Sequence, residues 1–211
     1  RRAKENIEEF HKRQKRNDDI VAVNGKTTGI IYRPIERAGL YVPGGKASYP
    51  SSVLMCALPA VVAGVPEIIM TTPAANGLNP LTVVAASECG ISKIFKIGGA
   101  QAIAAMAYGT ESVPKANVIS GPGNIYVALA KREVYGVAGV DMIAGPSEIV
   151  IVADESADAE FVAADMLSQA EHDEMAMSML ITDSEKLASE VQRQLSKQIA
   201  KLPRRQIAET A

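Results

Sequence analysis

Apolar and polar residues alternate along this chain with two different periods, and the change from one period to the other marks its elements. RRAKENIEEFHKRQKRNDD carries a sparse apolar stripe, Ile7 and Phe10, on a charged background, which predicts a surface helix. VAVNGKTTGIIYR places two extended runs around Asn24-Gly25, the pair favoured in a tight hairpin turn. From residue 38 short apolar runs alternate with helix-length segments. Strands are expected near 39–42, 67–71, 93–97, 117–120 and 141–144. Between them SSVLMCALPAVVAG, NPLTVVAASECG, GGAQAIAAMAYG and GNIYVALAKREVYG read as helices by apolar spacing and alanine content, mostly ended by glycine. Asn79 before Pro80 is a cap with a first-turn proline, and Gly90 is a stop. Strand and helix in alternation need crossover connections, so the predicted class is α/β with a doubly wound parallel sheet.

A second series follows: EIVIVAD as a strand, SADAEFVAADMLSQAEHD as a helix, MAMSMLITD as a strand, then a charged helix from about residue 184 to 201. Ser156 is the expected cap of the first of these helices, with Asp158 and Glu160 in its first turn, where the helix dipole favours acids. A new strand–helix series after the fifth strand predicts a domain change near Glu148. Residues 40–148 would form one domain, and 1–39 together with 149–211 an incomplete second α/β domain.

The turns sharpen this picture. PGG at 43–45, GGAQ at 98–101, GPGN at 121–124 and GPSE at 145–148 each follow a predicted strand. In an open parallel sheet all four would lie at the carboxyl edge, where such folds bind ligands at helix N-termini. Short connections need glycine anyway, so the case for a binding rim rests on four motifs that combine glycine with Gln, Asn or Ser. No GxxxxGK[ST] occurs, and GPGNIY begins like GxGxxG but has Tyr126 in place of the third glycine. A dinucleotide here would bind in a nonstandard way.

Composition narrows the classes. With 47% hydrophobic residues in 211 and a formal charge of −2 spread along the chain, the protein is globular and lacks the basic footprint of a nucleic-acid binder. No apolar run approaches the ~18–20 residues that span a bilayer, and no signal-peptide core is seen, so a soluble cytoplasmic protein is expected. Cys56 and Cys89 both lie in apolar helical segments, which fits a reducing compartment and packed thiols.

On a helix Asp165, Ser168, Gln169 and His172 share one stripe. Such a stripe also describes the wet side of an amphipathic helix. Zinc is the alternative, although a zinc site wants about four donors and Gln is an unusual one. The other histidine, His11, falls in the charged first helix and reads as solvated. Any metal at His172 would have to be completed by residues beyond Ala211 or by another subunit.

GLYVPGGKASYPSSVLMCALPAVVAGVPEII, IFKIGGAQAIAAMAYGTESVP, ISGPGN, VDMIAGPSEIVIVAD and AADMLSQAEHD resemble, in order and spacing, the histidinol dehydrogenases. The similarity runs from about Gly39 to Asp173 and more loosely over both flanks. Val140 and Met166 replace the family's usual isoleucine and leucine. The resemblance implies Rossmann-like domains in a homodimeric, NAD-dependent zinc enzyme that oxidises L-histidinol through L-histidinal to L-histidine. It implies NAD contacts at Tyr41, Gln101 and Asn124, a substrate contact at Ser147, and zinc and substrate contacts at Gln169 and His172. Family members are about twice as long. Their acid/base Glu-His pair, a carboxylate zinc ligand and a histidine given across the dimer would lie beyond Ala211. The chain is therefore expected to be an internal fragment, inactive alone. Two alternatives remain at this level: a related NAD-dependent dehydrogenase of another polar alcohol, such as a sulfonated diol, and a non-catalytic binding or assembly module.

Overall fold

Asn24 and Gly25 both adopt positive φ, 50° and 73°, in the computed structural model, which describes residues 1–44, 49–75, 77–144 and 147–211. That pair of angles makes the two-residue hairpin turn the Asn-Gly sequence predicts. It joins β1 (Asp19–Val23) to β2 (Lys26–Ile30) in antiparallel register, Val23 opposite Lys26. Ahead of it α1 (Arg2–Lys12) packs Ile7 against an apolar cluster and leaves Phe10 exposed. His11 sits on the α1 surface with its Nδ1 2.6 Å from Gln14 Oε1.

Next come β3 (Arg37–Tyr41), α2 (Pro50–Ala63), β4 (Glu67–Thr71), α3 (Pro80–Glu88), β5 (Lys93–Phe95), α4 (Gly99–Tyr108), β6 (Val118–Ser120), α5 (Ile125–Glu133) and β7 (Gly139–Val140). The five strands pair in parallel in the order β5-β4-β3-β6-β7. Growth in both directions from β3 is the doubly wound arrangement. The side-chain period of two explains why both faces are dry. Leu40 and Met70 meet Val53, Ala57, Leu58, Ala85 and Ala86 on the α2–α3 side. Their neighbours Tyr41 and Ile69 meet Ala102, Ile103, Met106 and Val127 on the α4–α5 side. Cys89 is buried and Cys56 half-buried, both as free thiols. Asn79 caps α3 by accepting from the Leu81 amide at 2.9 Å, ahead of Pro80.

The last element of the sheet differs from expectation. The fifth strand is Gly139–Val140, and 141–144 continue as non-strand chain. Asp141 still donates its amide to the Ile119 carbonyl at 3.2 Å, where pairing stops, and its carboxylate turns back on the loop after β6, accepting from the Gly121 amide and from the Met142 amide.

Contacts divide the chain into Arg1–Ala144 and Gly145–Ala211. The second unit holds β8 (Glu148–Val152), α6 (Ala159–Ala170), β9 (Met177–Ile181), α7 (Glu185–Ile199) and the short α8 (Arg205–Ala208). β8 and β9 pair in parallel, Glu148 opposite Met177. One face packs Ile151 and Leu180 against Ala159, Val162, Ala163, Leu187 and Val191 of α6 and α7. The other face leaves Val150, Val152, Met177, Met179 and Ile181 exposed. Asp158 is the cap of α6, accepting from the Glu160 amide at 2.8 Å. Ser156, the expected cap, is instead held by Asp154, whose Oδ1 accepts from its hydroxyl and amide. No helix among the described residues is long and apolar enough to cross a membrane.

Candidate functional site

The sheet reverses its direction of growth between β3 and β6, and the crevice at the carboxyl ends of such a strand pair is where open α/β sheets take ligands. Tyr41 ends β3 at this point. Its ring is buried, and its hydroxyl accepts from the Gly99 amide at 3.1 Å, tying the end of β3 to the GGAQ turn. Gln101 lies exposed in the first turn of α4. Asn124 caps α5, its Oδ1 accepting from the Val127 amide at 3.2 Å, which leaves its Nδ2 outside the cap.

Glycine is required here by close approach. At Gly121, with φ +132°, a Cβ would stand 1.9 Å from the Tyr41 carbonyl oxygen. At Gly98 a Cβ would stand 2.3 Å from the Pro73 Cγ. The turn after β4, with Thr72 and Pro73, is therefore part of the same rim. The sequence reading missed it, because no glycine marks it. Of the expected rim motifs, PGG is described only to Gly44, and Gly45 lies outside the described residues, as do Lys46, Ala47 and Ser48. Gly145 and Pro146 of GPSE lie outside them too.

Beneath the GPGN turn is an ion pair that the sequence reading also missed. Lys131 of α5 is buried, and its Nζ donates to the Gly121 carbonyl at 2.7 Å and to Asp141 Oδ1. Burial pushes the Asp141 carboxyl up, but hydrogen bonds from Lys131 and from the Gly121 and Met142 amides outweigh it and hold it below its ordinary value. Burial pushes the nearby Cys56 thiol up, so it stays protonated and adds no charge. A depressed carboxylate contributes stability that is complete above its unfolded value, about 3.9, and is lost as pH falls through the lower folded one. Amide resonances of Gly121 and Met142 are therefore expected to hold still from neutrality to about pH 4 and to move only below it. A titration midpoint at or above that value would show that burial wins.

The second unit carries its own polar set. Ser147 stands just before β8, exposed, and its carbonyl accepts from Gln169 Nε2 at 3.3 Å. Gln169 lies in the last turn of α6, but His172 does not share the helix: α6 stops at Ala170, and His172 occupies the turn beyond the Glu171 C-cap. The stripe predicted from helical spacing thus ends at Gln169. The imidazole nevertheless folds back, with Nδ1 2.7 Å from the Ser168 carbonyl. A carbonyl only accepts, so Nδ1 carries the proton and the Nε2 lone pair is left for a ligand. Asp165, on the same helical stripe, offers its carbonyl to the Ser168 hydroxyl. Among the described residues no group of three or more His, Cys, Asp or Glu side chains could hold a metal ion.

A doubly wound parallel sheet with polar groups and close-packed glycines at its carboxyl edge, followed by a smaller strand–helix unit that carries Ser147, Gln169 and His172, defines an α/β protein of the doubly wound class. The chain belongs to the histidinol dehydrogenase family, whose profile matches residues 1–211. It is 57% identical over 208 residues to histidinol dehydrogenase of Bacillus thuringiensis subsp. konkukian, covering 98% of this chain and 48% of that protein. The crystal structure of histidinol dehydrogenase from Elizabethkingia anophelis superposes with a TM-score of 0.92 at 44% identity, over 99% of this chain and 49% of that one. A propionaldehyde dehydrogenase from Clostridium phytofermentans matches at a TM-score of 0.51 and 12% identity over 85% of this chain and 42% of that one, a likeness of fold alone. The chain spans about half the length of the curated relatives it matches.

Proposed function

We propose that this chain is the part of a histidinol dehydrogenase that carries the dinucleotide rim and half of the metal site. The whole protein would oxidise L-histidinol through L-histidinal to L-histidine, as a cytoplasmic homodimer with one zinc per subunit. The observation that carries this reading is the match along the whole chain to a family of that single name. In that longer protein, residues 1–39 and 149–211 would join as one second domain. The exposed apolar residues of β1 and β2, Ile20, Val21, Val23 and Ile30, fit a hairpin covered by further polypeptide.

The residues present fit both groups the family implies. Gly98 and Gly121 let the turns after β5 and β6 pack directly on Pro73 and on the Tyr41 carbonyl, which gathers these turns at the carboxyl edge of the sheet, where such folds take dinucleotides. Gln101 and Asn124 would bind it from the first turn of α4 and the cap of α5, with Tyr41 fixing the floor between them. His172 presents Nε2 with its tautomer set by Ser168, the outer contact that metal-binding histidines use. Gln169, its Nε2 donated to the Ser147 carbonyl, would offer Oε1 as a second donor atom. When bound, zinc supplies a charge that orients the substrate and NAD accepts hydride. Ser147 would contact the substrate. Proton removal would fall, as the family resemblance implies, to a Glu-His pair outside these residues; His11 sits on the α1 surface, and His172 would be occupied by the metal.

The test is a chimera in which these 211 residues replace the matching half of the Bacillus thuringiensis relative. It is expected to reduce two NAD per L-histidinol, whereas the 211-residue chain alone forms no NADH. A folded chimera that oxidises a sulfonated diol and ignores histidinol would transfer the protein to the related polar-alcohol dehydrogenases. A folded chimera with no activity on either would favour a non-catalytic module.

A further inference from the structure

The GPGN turn leaves the sheet at Ser120 and enters α5 at Asn124, so the placement of Asn124 depends on what grips the turn between them. A buried cation grips it. Lys131 lies near the end of α5, only 3% exposed, and its side chain runs back toward the helix N-terminus, the direction in which helical side chains tilt. Nζ donates to the Gly121 carbonyl at 2.7 Å, to Asp141 Oδ1, and to the Met142 carbonyl at 3.5 Å. Asp141 closes the ring from the other side. Its Oδ2 accepts from the Gly121 amide at 2.8 Å and from the Ser120 hydroxyl at 3.1 Å, and its Oδ1 from the Met142 amide at 2.7 Å.

Gly121 is thus held at its carbonyl by the cation and at its amide by the anion of a single pair. Lysine is among the residues least often buried, and an ion pair with one partner buried and the other partly exposed adds little net stability over well-packed apolar groups. Its best-attested use is to fix one geometry among several. The fixed element here is a strand-end turn at the sheet's switch point, with α5 starting directly after it.

We propose that Lys131 and Asp141 are positioning residues for the dinucleotide: they set the Gly121 peptide, and through it Asn124, against the bound cofactor without touching it. The proposal rests on the reading that Gln101 and Asn124 contact NAD. Asp141 directly follows β7, so the pair also locks the end of that strand to the turn, and loss of either partner frees both.

The test uses the ¹⁵N-labelled 211-residue chain, its Lys131→Met, Asp141→Asn and Lys131→Arg variants, and Gln101→Ala as a check on the cofactor reading. Lys131→Met is expected to keep the amide shifts of β3 and β4 but to speed exchange of the Gly121 amide. Its NAD affinity should fall about tenfold, the scale seen when a group orienting a binding side chain is lost. Lys131→Arg, which keeps the buried charge and its donors, should recover most of that affinity. If Lys131→Met does not fold, the near-isosteric Asp141→Asn makes the same test from the other partner. Unchanged NAD affinity and Gly121 exchange in either folded variant would overturn the proposal. Failure of the underlying reading looks different: NAD then shifts no rim amide in the unsubstituted chain, or binds Gln101→Ala as tightly, and the proposal falls with it.

Discussion

Gly121→Ala is expected to cost the first unit most of its stability. The new Cβ would sit 1.9 Å from the Tyr41 carbonyl oxygen, a backbone atom at the end of a central strand that cannot step aside. The φ of +132° adds strain that any side chain would feel. Clash and strain together put the loss on the order of 4 kcal/mol or more, against a total of about 5–15 kcal/mol for a typical domain. Gly136→Ala is the comparison: φ is +94° there, but a Cβ would meet nothing within 4 Å. Strain alone should cost it about 1–2 kcal/mol. Urea unfolding followed by circular dichroism separates the two, and equal losses would show that the contact with Tyr41 can relax.

Removing the His172 imidazole should have the largest effect on metal binding. Outer-sphere partners of zinc ligands are worth about 10–100-fold in affinity, so loss of a ligand itself should cost at least about a hundredfold. In the chimera, competition with a chromogenic chelator should show His172→Ala releasing zinc while Asp165→Ala, seven residues earlier on α6, retains it. Equal retention by a folded His172→Ala protein would remove His172 from the ligand set. The 211-residue chain alone should bind zinc weakly, because two neutral donors leave half of a tetrahedral shell to water.

Most of the architecture was legible because each strand is short, apolar and punctuated. The interval from β3 to α5 repeats strand, short turn and helix, and Asn79, Gly90 and the Asn24-Gly25 pair do what their local chemistry predicts. The misplacements have local causes. VDMIAG alternates like a strand, but pairing with β6 ends at Asp141, whose carboxylate is engaged by four donors, from Ser120, Gly121, Lys131 and Met142. The α6 sequence offers two capping residues two positions apart, and Asp158 took the cap while Ser156 joined the Asp154 turn. His172 follows alanine-rich helix with no glycine to mark the stop, so periodicity alone carried the helix past its end.

The candidate site was legible in outline. Tyr41, Gln101 and Asn124 could be placed at strand ends by motif, and the structure adds that the Tyr41 ring is buried beneath the rim. Lys131 and Asp141 were invisible for a different reason. Each belongs to a residue type that reads as surface, and their pairing crosses a helix end, a turn and a strand. Only packing brings them together.

The β8–β9 sheet gives the metal half-site an unequal footing. Two parallel strands covered on one face form a marginal sheet compared with the five strands of the first unit, both of whose faces are covered. Ser147, Gln169 and His172 all belong to this smaller unit. If the proposed metal bridges them, any opening of the unit competes with binding, and part of the intrinsic affinity goes into holding the protein closed. A covering that settles over Val150, Val152 and Met179 would then tighten the grip on that metal without contributing a single donor atom to it.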